Sequence, residues 1–138
     1  MKKKIKFFSA LFCFLACVTI TSISAYDDNI AFTLGIKKYQ ENSRTSGRYR
    51  ETTNPNNKWK VQMTKTYEGP NASTTYWLER YDGGNVSKAI TINVNSGVMY
   101  TPAWSSASQA TVYLTAENNN YNNITYTVQG YWDEETGK

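Results

Sequence analysis

Histidine is absent from the 138-residue sequence, and its two cysteines, Cys13 and Cys17, both lie near the N-terminus. Without these side chains in the rest of the chain there is no Ser-His-Asp triad, no thiolate nucleophile and no usual zinc or copper site. The segment Asp82-Gly83-Gly84-Asn85 has the composition of a turn, not the spacing of a phosphate-binding loop or a dinucleotide fingerprint. We therefore expect neither a cofactor nor a bound metal, and carboxylate catalysis or binding remains.

The first 25 residues have the layout of a secretory signal peptide. Four lysines lie within the first six residues, an apolar run follows over residues 7–23, and the small residues Ser24 and Ala25 precede Asp27 and Asp28. This order of charged, apolar and small regions predicts export, with cleavage after Ala25. We thus divide the chain into a signal peptide, residues 1–25, and a secreted domain, residues 26–138, found outside the cell or at its envelope.

Two other interpretations of the N-terminal run stay open. A retained membrane anchor needs about 20 apolar residues, and the run reaches that length only if its serines and threonines are counted. Leu15-Ala16-Cys17 faintly resembles a lipidation site, but Phe14 is unsuited to its position and apolar residues continue beyond Cys17. Cleavage after Ala25, which leaves no membrane span, is the interpretation that we adopt.

The predicted mature domain is electrically neutral. Four of the 15 basic residues lie in the signal peptide, so 11 basic residues balance 11 acidic ones over residues 26–138. The calculated pI near 9.0 therefore describes the precursor, and we expect no nucleic-acid binding because no net positive field remains. A chain of this length forms one domain. A secreted domain without cysteine fits a Gram-positive bacterium better than a eukaryotic secretory pathway.

Polar and apolar residues alternate along most of the mature chain. This period of two places one face of a strand on a core and the other in water. Clusters of Asn, Gly, Pro and Asp separate the alternating segments. The pattern predicts a single antiparallel β-sandwich, jelly-roll-like or Greek-key, with about eight strands. The predicted strands lie near residues 31–39, 47–53, 58–66, 73–81, 87–94, 98–104, 109–117 and 123–132.

Aromatic residues are the most prominent positive feature, with 11 tyrosines and four tryptophans in the mature part. Alternation assigns Trp59, Tyr126 and Trp132 to the core. It assigns four aromatic residues to outward faces, where they could stack on sugar rings: Trp77, Tyr81, Tyr113 and Tyr131. The alternative is that outward aromatics only stabilise cross-strand pairs, by about 0.2 to 1 kcal/mol each.

Basic residues are concentrated in the first part of the mature chain. We interpret five of them as a patch that could attract an anionic wall polymer: Arg44, Arg48, Arg50, Lys58 and Lys60. The later part of the chain is acidic. The alternative is that the two sheets interleave both parts and average their charges.

The acidic residues of the mature chain show no spacing that is typical of a catalytic pair or a calcium-binding loop. Glu79 and Glu117 are the best candidates for a pair of glycosidase carboxylates, which need a separation of about 5 to 9.5 Å. Scattered carboxylates are normal on a soluble domain, so we predict that the protein is not an enzyme. Two acidic clusters lie at the ends of the mature chain, but neither has calcium-loop spacing and we interpret them as solvated: Asp27-Asp28-Asn29 and Asp133-Glu134-Glu135.

Several segments resemble a family of small secreted proteins of Gram-positive bacteria that carry a domain of unknown function. They are DDNIAFTL, SGRYRETTNPNNKWKV, Glu68-Gly69 followed by Tyr76-Trp77-Leu78, and VQGYWDEETGK. The resemblance covers nearly all of the mature chain and implies secretion and a shared fold. It implies no activity and no binding residues.

Export together with aromatics and few catalytic residues leads to two functional hypotheses. The first is a secreted, non-catalytic protein that binds cell-wall polysaccharide, anionic wall polymer or other extracellular material. The alternative is a secreted antagonist or toxin-like effector that acts on other cells. Neutral charge and the absence of an amphipathic helical pattern weigh against direct attack on a membrane.

Overall fold

A computed structural model of the chain describes residues 26–138. The predicted signal peptide, the cleavage site after Ala25 and the possible lipidation site at Cys17 lie outside the described residues. Within residues 26–138, no helix has the length and apolar character needed to cross a membrane.

The described residues form strands joined by turns. Eight of the nine strands lie in the segments where alternation predicts them, and the ninth, β2, spans only two residues. Two short 3-10 turns occupy Lys38–Gln40 and Ser105–Ala107. The strands are β1 (Ile30–Ile36), β2 (Ser43–Arg44), β3 (Arg48–Arg50), β4 (Trp59–Thr66), β5 (Thr74–Arg80), β6 (Ile90–Ile92), β7 (Met99–Thr101), β8 (Ala110–Asn118) and β9 (Tyr126–Asp133).

These strands form two antiparallel sheets. The four-stranded sheet has the order β1-β9-β4-β7. In the five-stranded sheet, β2 and β3 both pair with the same side of β8, which is followed by β5 and β6. The inner faces of both sheets contribute to one hydrophobic cluster, which is the arrangement of a sandwich. The predicted all-β fold is confirmed.

Inward side chains alternate along each long strand, as the period of two predicts. Trp59, Tyr126 and Trp132 are buried in the core. Full burial of an apolar side chain stabilises a protein by about 1.5 to 3 kcal/mol, so this alternation explains why the segments adopt these strands. The other inward residues of the four-stranded sheet include Phe32, Leu34, Ile36, Val61, Met63 and Val128, and they face Tyr76, Leu78, Ile92, Val112 and Leu114.

Gly130 permits the close approach of β9 to β4. A Cβ atom at this position would lie 1.9 Å from the carbonyl oxygen of Gln62 and 2.9 Å from the ring of Phe32. Beside it, the register between β4 and β9 shifts between Met63 and Lys65, which marks a β-bulge. A glycine in a strand interior often marks such an approach of one backbone to another.

The sandwich has two distinct ends. At one, which we name the loop end, residues 37–42, 67–73 and 119–125 connect strands. At the other, the terminal end, residues 26–29 lie beside residues 133–138: the backbone N–H of Asp28 donates to Asp133 Oδ2, and Lys138 pairs with Asp27. Because β1 and β9 are antiparallel neighbours, each runs from one end to the other.

Candidate functional site

Trp77 does not belong to an exposed platform. It lies on the outward face of β5, as alternation predicts, but only 5% of it is exposed. Its indole Nε1 donates to Glu79 Oε1 at 3.0 Å, and the side chains of Asn42 and Arg44 reach over this face to the same carboxylate. The prediction of an exposed Trp77 is therefore wrong, because a segment distant in sequence covers this part of the sheet.

The other three predicted aromatics are dispersed over the molecule. Tyr113 is half-buried beneath Arg44, whose guanidinium carbon lies 5.5 Å from the ring centroid. Tyr81 is 70% exposed in the turn after β5. Tyr131 is exposed on the outward face of the four-stranded sheet, on the opposite side of the sandwich from Tyr113. Together with Trp77, they do not form the single contact surface that we predicted.

The predicted basic patch is also not formed. Arg50 is fully buried and donates to the backbone carbonyl oxygens of Glu134, Asn54 and Asn57. Burial lowers the pKa of Arg50, while the nearby carboxylates oppose this shift. Its guanidinium holds backbone segments together and is not available to an external polymer.

The remaining members of the patch are paired or partly covered. Arg48 forms an ion pair with Glu134, Arg44 approaches Glu79 at 3.1 Å, and buried Lys60 pairs with Asp27. Lys58 is half-buried. Two of these ion pairs join the basic early part of the domain to its acidic later part, in agreement with the alternative of interleaved charges.

Residues 133–135 are structural and not solvated, which corrects our interpretation of the C-terminal acidic cluster. Asp133, Glu134 and Glu135 are buried. Glu135 accepts hydrogen bonds from the backbone N–H groups of Glu51 and Thr52 at 3.0 and 2.9 Å. Burial raises the pKa of Asp133 to about 7. Among the described residues, no three acidic side chains are grouped to hold a metal ion.

Asp27 is the centre of a network at the terminal end. It accepts hydrogen bonds from Lys60, Lys138 and the Tyr100 hydroxyl. The bonds from Lys138 and Lys60 lower the pKa of Asp27 to about 2. This N-terminal acidic segment is therefore tied into the fold.

Glu79 and Glu117 are too far apart for glycosidase chemistry. Glu79 is opposite Tyr113 on β8, whereas Glu117 is four residues further along that strand. At about 3.4 Å per residue this places the two positions about 14 Å apart along the strands, beyond the range of about 5 to 9.5 Å. Glu79 is moreover engaged by Trp77 and Asn42.

The loop end brings together two tyrosines that the sequence reasoning had not singled out. The rings of Tyr39 and Tyr121 are tilted by 43°, with their centroids 5.3 Å apart. Tyr39 is 42% exposed and Tyr121 is 75% exposed. The backbone N–H of Tyr39 donates to the carbonyl oxygen of Asn122 at 2.8 Å, so the two loops hold each other in place.

Backbone strain coincides with this pair. Tyr39 and the following Gln40 have φ angles of 54° and 59°, in the left-handed region that residues other than glycine rarely adopt. Each such residue costs on the order of 1 kcal/mol or more and persists only where its surroundings enforce it, often at functional sites. The backbone conformation that exposes the tyrosine pair therefore lowers the stability of the fold.

Asparagine side chains order the loop that carries Tyr121. Asn118 Nδ2 donates to Asn122 Oδ1 at 3.0 Å, and that same oxygen accepts from the backbone N–H of Ile124 at 3.0 Å. Asn118 Oδ1 accepts from the backbone N–H of Asn120 at 2.8 Å. The asparagine cluster, which the sequence pattern presents only as a turn, builds a defined loop.

Two shallow grooves lie at the loop end. One, of about 440 Å³, is lined by residues 68–73 together with Asn119 and Asn120. The other, of about 350 Å³, is lined by residues 35–37 and 125–127. A further tyrosine of this end, Tyr67, is exposed and lies under Lys65 Nζ at 4.4 Å. The loop end therefore combines exposed aromatic rings with amide groups and concave surface.

A sequence signal for this site was present but weak. Tyr39 follows β1 and is read by alternation as a continuation of that strand, and Tyr121 interrupts a run of asparagines. Alternation identifies faces of strands and does not indicate which loops converge. Only the sheet order, which places the end of β1 beside the start of β9, brings these two residues together.

A model of the DUF2712 family, described as a protein of unknown function, matches residues 19–136. The chain belongs to this family. The expectation of a domain of unknown function is thereby confirmed. No curated protein and no solved structure matches this DUF2712 chain.

Proposed function

We propose that this protein is a secreted, non-catalytic binding protein of a Gram-positive bacterium, and that its loop end binds a polysaccharide of the cell wall or of the extracellular matrix. The charged-apolar-small N-terminal pattern supports export. The observation that carries the proposal is the exposed pair of Tyr39 and Tyr121, held by strained backbone and a hydrogen bond between loops.

The chemistry of the loop end suits a sugar chain. A tyrosine ring offers a rigid apolar face and a polar hydroxyl, and the apolar C–H face of a pyranose packs against such a ring. Asparagine amides both donate and accept hydrogen bonds, as sugar hydroxyls do. Exposed Asn119 and Asn120 beside Tyr121 supply these groups.

A neutral polysaccharide fits this surface better than an anionic polymer. The arginines of the predicted basic patch are paired or buried, so they provide little attraction for phosphate or carboxylate groups. Lys37, Lys38 and Lys65 are exposed near the tyrosines of the loop end, but such screened charges contribute weakly at physiological salt. Binding that depends on aromatic rings changes little with ionic strength.

The test is co-sedimentation of the exported protein with purified cell walls, before and after removal of their anionic polymers, across a range of salt. We expect binding that survives both treatments. Tyr121→Ala should weaken it about two- to twelvefold, since an aromatic contact contributes about 0.5 to 1.5 kcal/mol.

A matched control is Tyr81→Ala, which removes a similarly exposed tyrosine, 70% against 75%, from the terminal end. Its binding should equal that of the unmodified protein. Equal losses for both variants, binding that disappears when the anionic polymers are removed, or no binding at any salt concentration would each contradict the proposal.

A further inference from the structure

Strand β1 is an unusual edge strand. It forms one edge of the four-stranded sheet over seven residues, IAFTLGI, without a charge or a proline. Exposed sheet edges are normally protected by short length, charged residues or proline, because unpaired backbone groups invite another strand. Within residues 26–138, the other edge strands carry such protection: β6 and β7 have three residues each, β7 is followed by Pro102, and β2 and β3 contain arginines.

The backbone groups on the open side of β1 belong to Ala31, Thr33 and Gly35. The carbonyl oxygen of Thr127 accepts from the Tyr67 N–H, so the backbone groups of Thr127 point toward β4. Because this direction alternates along a strand, the backbone groups of the even-numbered residues of β9 point toward β1. These residues pair with the even-numbered residues of β1. The odd-numbered residues of β1 therefore point away from β9. Ser43 Oγ, which donates to the Gly35 carbonyl oxygen at 2.6 Å from outside the sheet, agrees with this.

The backbone groups of Ala31 and Thr33 are accessible to an incoming strand, and the Gly35 carbonyl oxygen, which already accepts from Ser43 Oγ, has one lone pair left for a second donor. Among the described residues, no backbone hydrogen bond reaches Ala31, Thr33 or Gly35 from the open side. Their side chains are small and exposed, so another backbone can come close. A groove of about 290 Å³ lies between residues 30–34 and residues 44–46, with Trp132 in its wall, and leaves space along the edge.

We propose that the partner at this edge is a second copy of the chain, whose β1 pairs antiparallel with the first about a two-fold axis at Thr33. This register aligns all seven residues of both strands. Residue n then faces residue 66 − n, so Thr33 faces Thr33, Ala31 faces Gly35 and Phe32 faces Leu34. Such a contact is isologous, and Thr–Thr pairs are favourable across antiparallel strands.

The charges that flank β1 favour a second copy in this register. Two aspartates precede the strand, and Lys37 and Lys38 follow it. Antiparallel pairing about Thr33 places Asp28 opposite Lys38 of the second copy, and the two-fold axis repeats this pair. Within the described part of one chain, neither Asp28 nor Lys38 has an ion-pair partner. A parallel arrangement would instead put like charges together.

The dimer does not depend on the proposed sugar binding. If both hold, the antiparallel axis directs the two loop ends in opposite directions, because each follows the C-terminal end of its own β1. The dimer would then link two polymer strands and would not clamp one.

Analytical ultracentrifugation of the secreted domain, residues 26–138, over a range of protein concentrations tests for the dimer. We expect a reversible monomer–dimer equilibrium that weakens with salt. Thr33→Lys places two lysines opposite each other at the axis and should raise the dimer dissociation constant on the order of tenfold. Thr64→Lys is the control, because it adds the same charge at an exposed position of β4, a strand in the interior of the sheet order and away from the β1 edge. Thermal unfolding verifies that both variants fold.

Charge reversal tests the register. Asp28→Lys alone and Lys38→Asp alone should each weaken the dimer by about two- to thirtyfold, since each disturbs two exposed ion pairs. The double variant should restore the dimer, because it recreates both pairs with opposite polarity. Failure of the double variant to restore it would overturn the register.

Three outcomes would overturn the proposal as a whole. One is a monomer at every concentration. Another is a dimer that Thr33→Lys and Thr64→Lys weaken equally. The third is protection of the amides of Ala31, Thr33 and Gly35 from hydrogen exchange at concentrations where the protein is monomeric, since another segment or peptide would then cover the edge.

Discussion

Glu79 lies on the outward face of a strand and is nevertheless buried. Its carboxylate accepts from Trp77 Nε1 and Asn42 Nδ2, and Arg44 lies beside its second oxygen. Removal of a buried charge partner leaves donors without acceptors, which costs more than the interaction itself contributes. This one side chain connects the β2 segment to the outer face of β5.

We expect Glu79→Ala to lower the free energy of unfolding by about 2 to 4 kcal/mol, as measured by urea denaturation. Glu79→Gln retains an acceptor oxygen and should cost about half as much. Glu117→Ala is the control on the same sheet face, and its effect should stay within about 0.5 kcal/mol. A Glu79→Ala protein as stable as this control would contradict the role that we assign to Glu79.

Asp27 should make the fold sensitive to acid. Its pKa is lowered to about 2 in the folded state, from an ordinary value of 3.8, first by Lys138 and then by Lys60. A lowered pKa means that the unfolded chain binds the proton more tightly, so this stabilisation is present above about pH 4 and is lost as the pH falls toward 2.

Asp27→Asn should therefore destabilise the protein at neutral pH and reduce the slope of stability against pH between about 2 and 4. We expect about 1 kcal/mol at pH 7, because solvent screens the contact with exposed Lys138. Denaturant unfolding at several pH values measures both quantities. An unchanged slope would contradict the assignment, and Asp82→Asn, at an exposed turn, serves as the control.

At the scale of elements, the contact between β4 and β9 depends on Gly130. A methyl group there would require the Gln62 carbonyl, 1.9 Å from the ideal Cβ position, to move. Since both backbones belong to paired strands, we expect Gly130→Ala to cost about 3 kcal/mol or more. Gly35→Ala is a matched control in a strand, with no atom within 4 Å of its Cβ position. It should be neutral or slightly stabilising at concentrations where the protein is monomeric.

The alternation of the sequence predicts the elements well because each long strand has one face on the core. It fails for β2, which is two residues long and has no period to detect. For Trp77 it predicts the correct face of the strand and the wrong exposure. Asn42 and Arg44 reach across this face to the Glu79 carboxylate that Trp77 also contacts, and no pattern within β5 indicates their approach.

The sequence predicts the chemical groups of the candidate site but not their location, because local patterns do not show which segments meet. Exposed tyrosines beside asparagines are visible as a composition, but their meeting depends on which strands are neighbours. Arg50 and Lys60 read as surface charges because their partners, Glu134 and Asp27, lie at distant positions in the chain. Long-range pairing, which a single sequence does not display, thus decides both the location of the site and the loss of the basic patch.

In the whole molecule, the sandwich brings the basic early part of the domain next to its acidic later part, so the two charges largely cancel. Ion pairs between Arg44 and Glu79 and between Arg48 and Glu134 connect early basic residues to late acidic ones. A neutral surface with interleaved charges provides no long-range steering of a charged partner. The binding and the dimer that we propose therefore rest on short-range contacts, through exposed tyrosines and an open sheet edge.

The adjacency of residues 26–29 and 133–138 determines how the protein should be immobilised. Both segments lie at the terminal end, and β1 spans seven residues, or about 23 Å at 3.3 Å per residue, before the loop end begins. An affinity tag placed before residue 26 or after residue 138 would hold the molecule with Tyr39 and Tyr121 directed away from a sensor surface. Amine coupling would instead consume exposed Lys37 and Lys38 and attach the molecule by the surface under test.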